Sequence, residues 1–333
     1  MMRLALAGTL VVALAAAAGS GAEAAKRYRV AFVADTGGVG HTIMQQHVAG
    51  LRRAVRDLGV EVRIVVQPVR TSQTSTFKGL ARQRYDLVIV PFPSQAQGVL
   101  AAARAYPDQR FVIGDARAKA GAHWPANVQG VSAREEEIGF VVGYLAGLVE
   151  RQRPGRDAVG SVGGGGGYVG SVERFIAGFR AGARRASPSI RLLNGYGNFW
   201  DYDLCKRIAD AQIAKGIGVV FNVAGGCGLG TLGAARSHRI WGIGVDADQS
   251  GLGPHILTSA VKDVGLTTYR TIELLVLGRL ETGGDTLLGL REGVLRLGPV
   301  SPRVPRRLVE RTLEVQRAVA SGQIAGIPTT VGD

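Results

Sequence analysis

Short apolar runs alternate with amphipathic stretches along most of the chain, and the alternation predicts strand after helix after strand. Strands are predicted at Val30–Ala34, Val62–Gln67, Asp86–Val90, Phe111–Gly114 and Val128–Val131. Helices are predicted between or after them at Thr42–Leu58, Thr76–Arg84, Ser94–Ala105 and Glu135–Val149. The pattern then restarts. Strands fall at Ala158–Val162, Ile190–Leu193, Gly218–Val223 and Trp241–Val245, with helices at Ser171–Ala186, Asp203–Lys215 and Leu229–Ser237. Two consecutive sets of βα units mean an α/β chain of two doubly wound, Rossmann-like lobes. A further strand, Ile256–Val261, and a helix, Leu266–Leu277, are extra to the second set. They place one lobe at residues 26–131 plus about 262–283, and the other at 132–261 plus about 284–333. Such crossovers make a hinge, with ligand expected in a cleft at the carboxyl ends of the strands.

The first 25 residues break the pattern. One cation (Arg3), an apolar run from Leu4 to Ala18 and the small-residue exit Ala22-Glu23-Ala24 have the layout of a secretory signal cleaved near Ala24. The run is too short and too alanine-rich to span a membrane. A periplasmic or secreted protein has no ATP or nicotinamide pool to draw on, so the α/β architecture points to capture of a small molecule. The formal net charge of +14 survives cleavage, because Arg3 and Glu23 cancel. Only six of the 40 basic residues are lysine, which reads as an arginine bias spread over solvated faces. No basic run is interleaved with aromatics, so nucleic acid is not expected as a partner. Two cysteines, Cys205 and Cys227, are too few for a disulfide scaffold. Two buried or free thiols are the expectation, with a disulfide between them the alternative.

Candidate chemistry sits where predicted strands end. Asp35-Thr36-Gly37-Gly38 follows the first strand, where glycines let the backbone approach a ligand and Asp35 can accept hydrogen bonds. Gly163–Gly167 with Tyr168-Val169-Gly170 contains a G-x-G-x-x-G between strand and helix. The acid about 20 residues on that a dinucleotide site needs is missing, so a tight turn admitting ligand to a backbone rim is expected instead. Phe199 and Trp200 are either packing groups or a stacking plate for a flat ligand. Gly225 and Gly226 flank Cys227, but the five histidines show neither triad nor metal-ligand spacing. Gly244-Val245-Asp246-Ala247-Asp248-Gln249-Ser250 ends a strand with carboxylates able to hold a vicinal diol, and Lys262 ends the next.

Together these segments resemble the basic membrane protein family, nucleoside-binding extracytoplasmic receptors of ABC transporters. The likeness covers about residues 28–328. It is carried by Ala31-Phe32-Val33-Ala34-Asp35-Thr36-Gly37-Gly38, Tyr85-Asp86-Leu87-Val88-Ile89, Glu135-Glu136-Glu137-Ile138-Gly139 and Arg174-Phe175-Ile176-Ala177-Gly178-Phe179. It continues in Ala224-Gly225-Gly226, the Gly244–Ser250 run, Thr258-Ser259-Ala260-Val261-Lys262 and Ala320-Ser321-Gly322-Gln323-Ile324. The resemblance implies the type I periplasmic binding protein fold, whose two lobes close on ligand by hinge motion. It also implies a purine-nucleoside site with one aspartate at Asp35 and another at Asp115, an aromatic near Phe199, and Asp246 with Lys262 at the ribose. The chain departs from the family after Asp35. Where the family usually has Asp-Asp-x-Ser-Phe-Asn-Gln, this chain has Gly40-His41-Thr42-Ile43-Met44-Gln45-Gln46. Met44 thus replaces an aromatic plate and Gln45 an amide, which implies a changed base preference.

The expected function is therefore a monomeric solute-binding protein that delivers a nucleoside-like ligand to an ABC permease, with no catalysis, cofactor or metal. Unscreened like charges at about 4 Å in a partly dry site repel by several kcal/mol, so the carboxylates favour a neutral nucleoside over a nucleotide. Three alternatives stand beside it: a sensor docking a membrane receptor, a binder of another flat heterocycle with a polyol, and an exported nucleoside hydrolase. A basic surface binding anionic polymer through Arg303, Arg306, Arg307 and Arg311 is a further one.

Overall fold

The computed structural model describes residues 26–332 except 35–37, 40–41, 68–70, 119–120, 155–156 and 168. Its regular elements begin with β1 (Arg29–Ala34), α1 (Thr42–Leu58), β2 (Glu61–Val66), α2 (Gln73–Arg82), β3 (Leu87–Val90), α3 (Ala96–Ala105), β4 (Phe111–Gly114) and β5 (Val128–Ala133). They continue with α4 (Glu135–Glu150), β6 (Ala158–Gly163), α5 (Gly170–Ala186), β7 (Arg191–Tyr196), α6 (Tyr202–Ala214), β8 (Val219–Val223), α7 (Gly228–Ser237), β9 (Trp241–Asp246) and β10 (Ile256–Lys262). The last are α8 (Val264–Val276), β11 (Asp285–Leu288), β12 (Leu295–Leu297) and α9 (Arg306–Ala320). Runs such as Val30–Ala34 and Leu87–Val90 are buried throughout, as parallel strands covered on both faces must be. The signal reading of residues 1–25 lies outside the described residues. Among the described residues no helix is long and apolar enough to cross a membrane.

Contacts divide the chain into two compact units. One holds the chain up to Ser132 together with Val264–Leu287, and the other holds Ala133–Asp263 and Leu288–Asp333. Each unit has its own six-stranded sheet, ordered β11-β5-β4-β3-β1-β2 and β12-β10-β9-β8-β6-β7. Within the first, β1 pairs in parallel with β2 and β3, β3 with β4, and β4 with β5. The second is parallel from β10 through β7, and only the short β12 runs antiparallel. Parallel winding gathers the carboxyl ends of successive strands on one edge of each sheet.

In the second unit, α4 and α5 pack backbone to backbone. A Cβ added at Gly143 would lie 2.0 Å from the carbonyl of Phe179, and one at Gly182 would lie 2.0 Å from the carbonyl of Phe140. Gly139 and Gly178 make the same kind of approach, at 2.3 and 2.1 Å. Alanine on these faces would force the helices apart. The contact also lodges the N-terminus of α4 beside α5, which the site uses.

Several boundaries differ from the sequence reading. β7 extends to Tyr196 because it stays in register with β6 as far as the Gly163–Tyr196 pair. α2 starts at Gln73, four residues before its first apolar anchor, Phe77, because its polar first turn carries no hydrophobic signal. β11, β12 and α9 have no counterpart in that reading. The α9 helix buries Leu308, Thr312 and Val319 against the second unit. It also engages part of the arginine cluster: Arg306 pairs with Glu310 at 2.8 Å, and Arg311 donates to Tyr144 Oη at 3.3 Å. Arg303 stacks on Trp241, 5.0 Å from the ring centre.

Candidate functional site

Glycines of the second sheet's carboxyl edge hold an aromatic ring. A Cβ at Gly164 would sit 2.4 Å from Cε1 of Phe199, and one at Gly165 3.0 Å from its Cε2. Gly163 is likewise filled by Tyr196, at 2.8 Å. The sequence predicts a loop open to a ligand's approach. Instead, at 163–165 the protein's own rings take the room the glycines make. Tyr196 donates to the Glu173 carboxylate, and burial together with that bond pushes its phenol up to about 12. Gly225 has φ +54°, a left-handed conformation suited to glycine, and faces Phe199 from the loop after β8.

The loop that carries Phe199 is pinned at several points. Asn198 Oδ1 accepts from the backbone N–H groups of Trp200 (3.0 Å) and Asp201 (2.8 Å), a side-chain mimic of a turn. Asp201 caps α6 by accepting from Leu204 N at 3.0 Å. Phe199 O accepts from Cys227 N at 3.1 Å. Phe199 is half-buried, whereas Trp200 is 77% exposed. Cys205 and Cys227 are joined in a buried disulfide with Cα atoms 5.5 Å apart, not left as two thiols. Their separation of 22 residues gives no local hint of this. The pairing comes from the close approach of α6 and α7, where a Cβ at Gly230 would lie 1.9 Å from Tyr202 O.

Asp246 ends β9 with φ +63°, and it is half-buried. Left-handed backbone at a non-glycine residue is strained and concentrates at functional positions, although aspartate tolerates it better than most. The turn behind it is braced by Gln249, whose Oε1 accepts from Val245 N (3.0 Å) and Asn222 Nδ2 (3.4 Å). Gln249 N in turn donates to Ser259 Oγ at 3.0 Å. In the β9–β10 register Asp246 lies opposite Val261, so Lys262 is the next residue along the neighbouring strand.

Lys262 is buried, and its Nζ lies 2.7 Å from Glu135 Oε1. The other oxygen of Glu135 accepts from Arg174 Nε at 2.6 Å, and Arg174 is also 4.0 Å from Glu136. Glu135 has no exposed surface. It opens α4 and Arg174 belongs to α5, so the glycine-faced helix pair brings this ion network together. In the sequence Glu135 and Arg174 mark only the family resemblance. α4 opens with three consecutive glutamates, which the helix dipole favours in a first turn, so the sequence does not mark Glu135 as the one that meets two cations. Glu137, on the same turn, accepts from Leu290 N at 2.8 Å, and burial raises its pKa.

The first unit holds the remaining candidates. Asp115 follows β4 with φ +53°, a second left-handed aspartate at a strand's carboxyl end. Gly38 has φ +70°. Met44 is fully buried, and Gln45 is exposed. Asp35 and Gly37 lie outside the described residues. Among the described residues no group of three or more His, Cys, Asp or Glu is placed to hold a metal ion.

Known proteins share both the sequence and the fold. The family model described as "ABC transporter substrate-binding protein PnrA-like" matches residues 28–327. Basic membrane protein D of Borreliella burgdorferi (strain JD1) is 37% identical over 180 residues, covering 52% of this chain and 50% of that protein. The chain thus spans about half the length of curated relatives such as this one. A solute-binding protein of an ABC transporter system from Aeropyrum pernix K1 superposes with a TM-score of 0.71 at 23% identity, covering 90% of this chain and 94% of that one. A transcriptional activator of the comK gene from Bacillus halodurans gives 0.72 at 21%, covering 90% and 99%. At these identities the structures speak for the fold, which is that of type I periplasmic binding proteins. With a family model spanning nearly all of the described chain, the protein belongs to the PnrA-like family of ABC transporter substrate-binding proteins.

Proposed function

We propose that the protein is an extracytoplasmic receptor that captures a nucleoside-like solute and delivers it, as a monomer, to an ABC permease. The observation that carries the ligand class is the β9–β10 edge. A half-buried carboxylate at Asp246 and an ammonium at Lys262 end adjacent parallel strands, with Asp246 opposite Val261 and Lys262 one residue on. A carboxylate accepts both hydroxyls of a vicinal diol, and a lysine donates to the same oxygens. Phe199, clasped by glycines on the same edge, supplies a fixed ring for a flat heterocycle. Asp115, Gly225, Gly226 and Trp200 are the further contacts in this reading, and Asp35, Gly37, Gly38, Met44 and Gln45 belong to it through the family likeness. The buried disulfide suits an oxidising compartment, in line with the export pattern of the first 25 residues. The receptor works by binding alone, without catalysis.

Calorimetry of the mature protein with nucleosides, free bases, nucleotides and sugars tests this. A ligand at 100 times its Kd adds about 2.7 kcal/mol to the folded state, so a thermal-shift panel detects it first. Nucleosides are expected to bind, nucleotides to bind far more weakly, and Asp246→Ala to abolish measurable binding. Unchanged affinity in that variant, or no nucleoside binding by the wild type, refutes the reading.

A further inference from the structure

The loop after β3 contains an amide that the fold itself leaves unused. Gln95 closes the short 3-10 turn Pro93–Gln95 and is 1% exposed. Neither its Oε1 nor its Nε2 has a hydrogen-bond partner among the described residues. The other buried glutamines are different. Gln67 donates to Thr71 O (2.8 Å), Gln109 to Tyr85 O (2.8 Å), Gln129 to Thr286 Oγ1 (2.9 Å) and Gln212 to Ser161 O (2.9 Å). A buried amide with both ends unpaired is destabilising, so its retention calls for a partner outside the fold, a water or a ligand.

Its position says what that partner is. β3 lies between β1 and β4, and the Gln95 loop leaves the sheet at their shared carboxyl edge. In parallel α/β sheets ligands bind beyond that edge. Asp115 follows β4 on the same edge in its left-handed conformation. Phe92, in the same loop, is half-buried and braced edge-on against His47, with ring centres 6.2 Å apart. A supported ring, a carboxylate and an unpaired amide on neighbouring strand ends are the groups that read a polar heterocycle.

We propose that Gln95 is a specificity residue of the ligand site, pairing its adjacent donor and acceptor with a complementary edge of the ligand's heterocycle. The class of edge is a donor beside an acceptor, as in the lactam of an oxopurine or the amino and ring-nitrogen pair of an aminopurine. A glutamine side chain makes this two-point contact with adenine in other settings. The inference rests on the nucleoside reading above and assigns the base-reading role to a residue outside the family motif.

The test compares wild type, Gln95→Leu and Gln95→Glu by calorimetry with inosine, adenosine and unsubstituted purine riboside. Leucine keeps much of the volume and removes the polar atoms, and glutamate keeps the shape but loses the donor. The wild type is expected to prefer inosine or adenosine over purine riboside. Both variants are expected to lose about 10- to 100-fold for the preferred nucleoside and little for purine riboside. Ligand-free Gln95→Leu is expected to melt at or above the wild-type temperature. A preference kept within twofold in both variants overturns the assignment. So does loss of cooperative unfolding in both ligand-free variants, which gives the amide a structural role instead. Wild-type protein that binds none of the three compounds removes the nucleoside reading itself, and this inference with it.

Discussion

Replacing Glu135 by alanine withdraws the anion shared by two buried cations. Its oxygens lie 2.7 Å from Lys262 Nζ and 2.6 Å from Arg174 Nε, and the carboxylate has no exposed surface. At an effective dielectric near 20, each contact is worth about 6 kcal/mol of attraction. Desolvation of the three ions offsets much of that sum. The offset does not disappear with the carboxylate, because Lys262 and Arg174 stay buried. Removing one partner of such a network is therefore expected to destabilise by about 3–5 kcal/mol. In a unit of about 150–250 residues each kcal/mol moves the midpoint by about 2–4 °C, so the melt should fall by about 6–20 °C. Differential scanning calorimetry of ligand-free protein is the assay. The triple variant Glu135→Met, Arg174→Met, Lys262→Met removes all three charges and is expected to recover most of the loss. A Glu135→Ala change below about 1 kcal/mol, or a triple variant no better than the single one, refutes the idea that the network is one interdependent charge cluster.

Two other predictions concern stability. Cys205 and Cys227 close a loop of 22 residues, so the chain-entropy account gives about 3 kcal/mol lost in Cys205→Ser with Cys227→Ser. Urea unfolding with and without reductant measures it, and coincident curves would refute it. Burial raises the pKa of Glu150 above its ordinary 4.5, against the opposing pull of Arg153. The folded state thus holds the proton more tightly than the unfolded chain. This group's contribution to stability is fully present below 4.5 and is lost as pH rises through the raised native value. Relative to Glu150→Gln, the wild type should lose stability across that window at no more than about 1.4 kcal/mol per pH unit. Urea midpoints followed over pH that run parallel, or a slope of the opposite sign, would show the carboxylate is not held this way.

The alternating apolar runs were enough to read the α/β class and most strands, because a parallel strand covered on both faces needs continuous apolar residues and its crossover helix needs a stripe. Val30–Ala34, Leu87–Val90 and Trp241–Asp246 show that rule directly. α9 obeys it too, with Leu308, Thr312 and Val319 on one face, and was legible in principle. The short β11 and β12 were not, since DTLL and LRL lack the unbroken apolar run that marks the comparably short β3 and β4. The site divides in the same way. Strand-end residues such as Asp246 and Lys262 can be picked out locally, because the chain itself says where a strand stops. What those residues meet is decided by distant segments. Lys262 finds Glu135 across 127 residues, and Cys205 finds Cys227 only because α6 presses against the glycines of α7. The Gly163–Gly165 loop reads as an open backbone until Tyr196 and Phe199 fill it. Gln95 reads as an ordinary polar turn residue until packing buries it. Hydrophobic period is a property of neighbours along the chain and survives in the sequence. Charge pairing, ring packing and the satisfaction of buried polar groups belong to neighbours in space, and only the tertiary structure decides them.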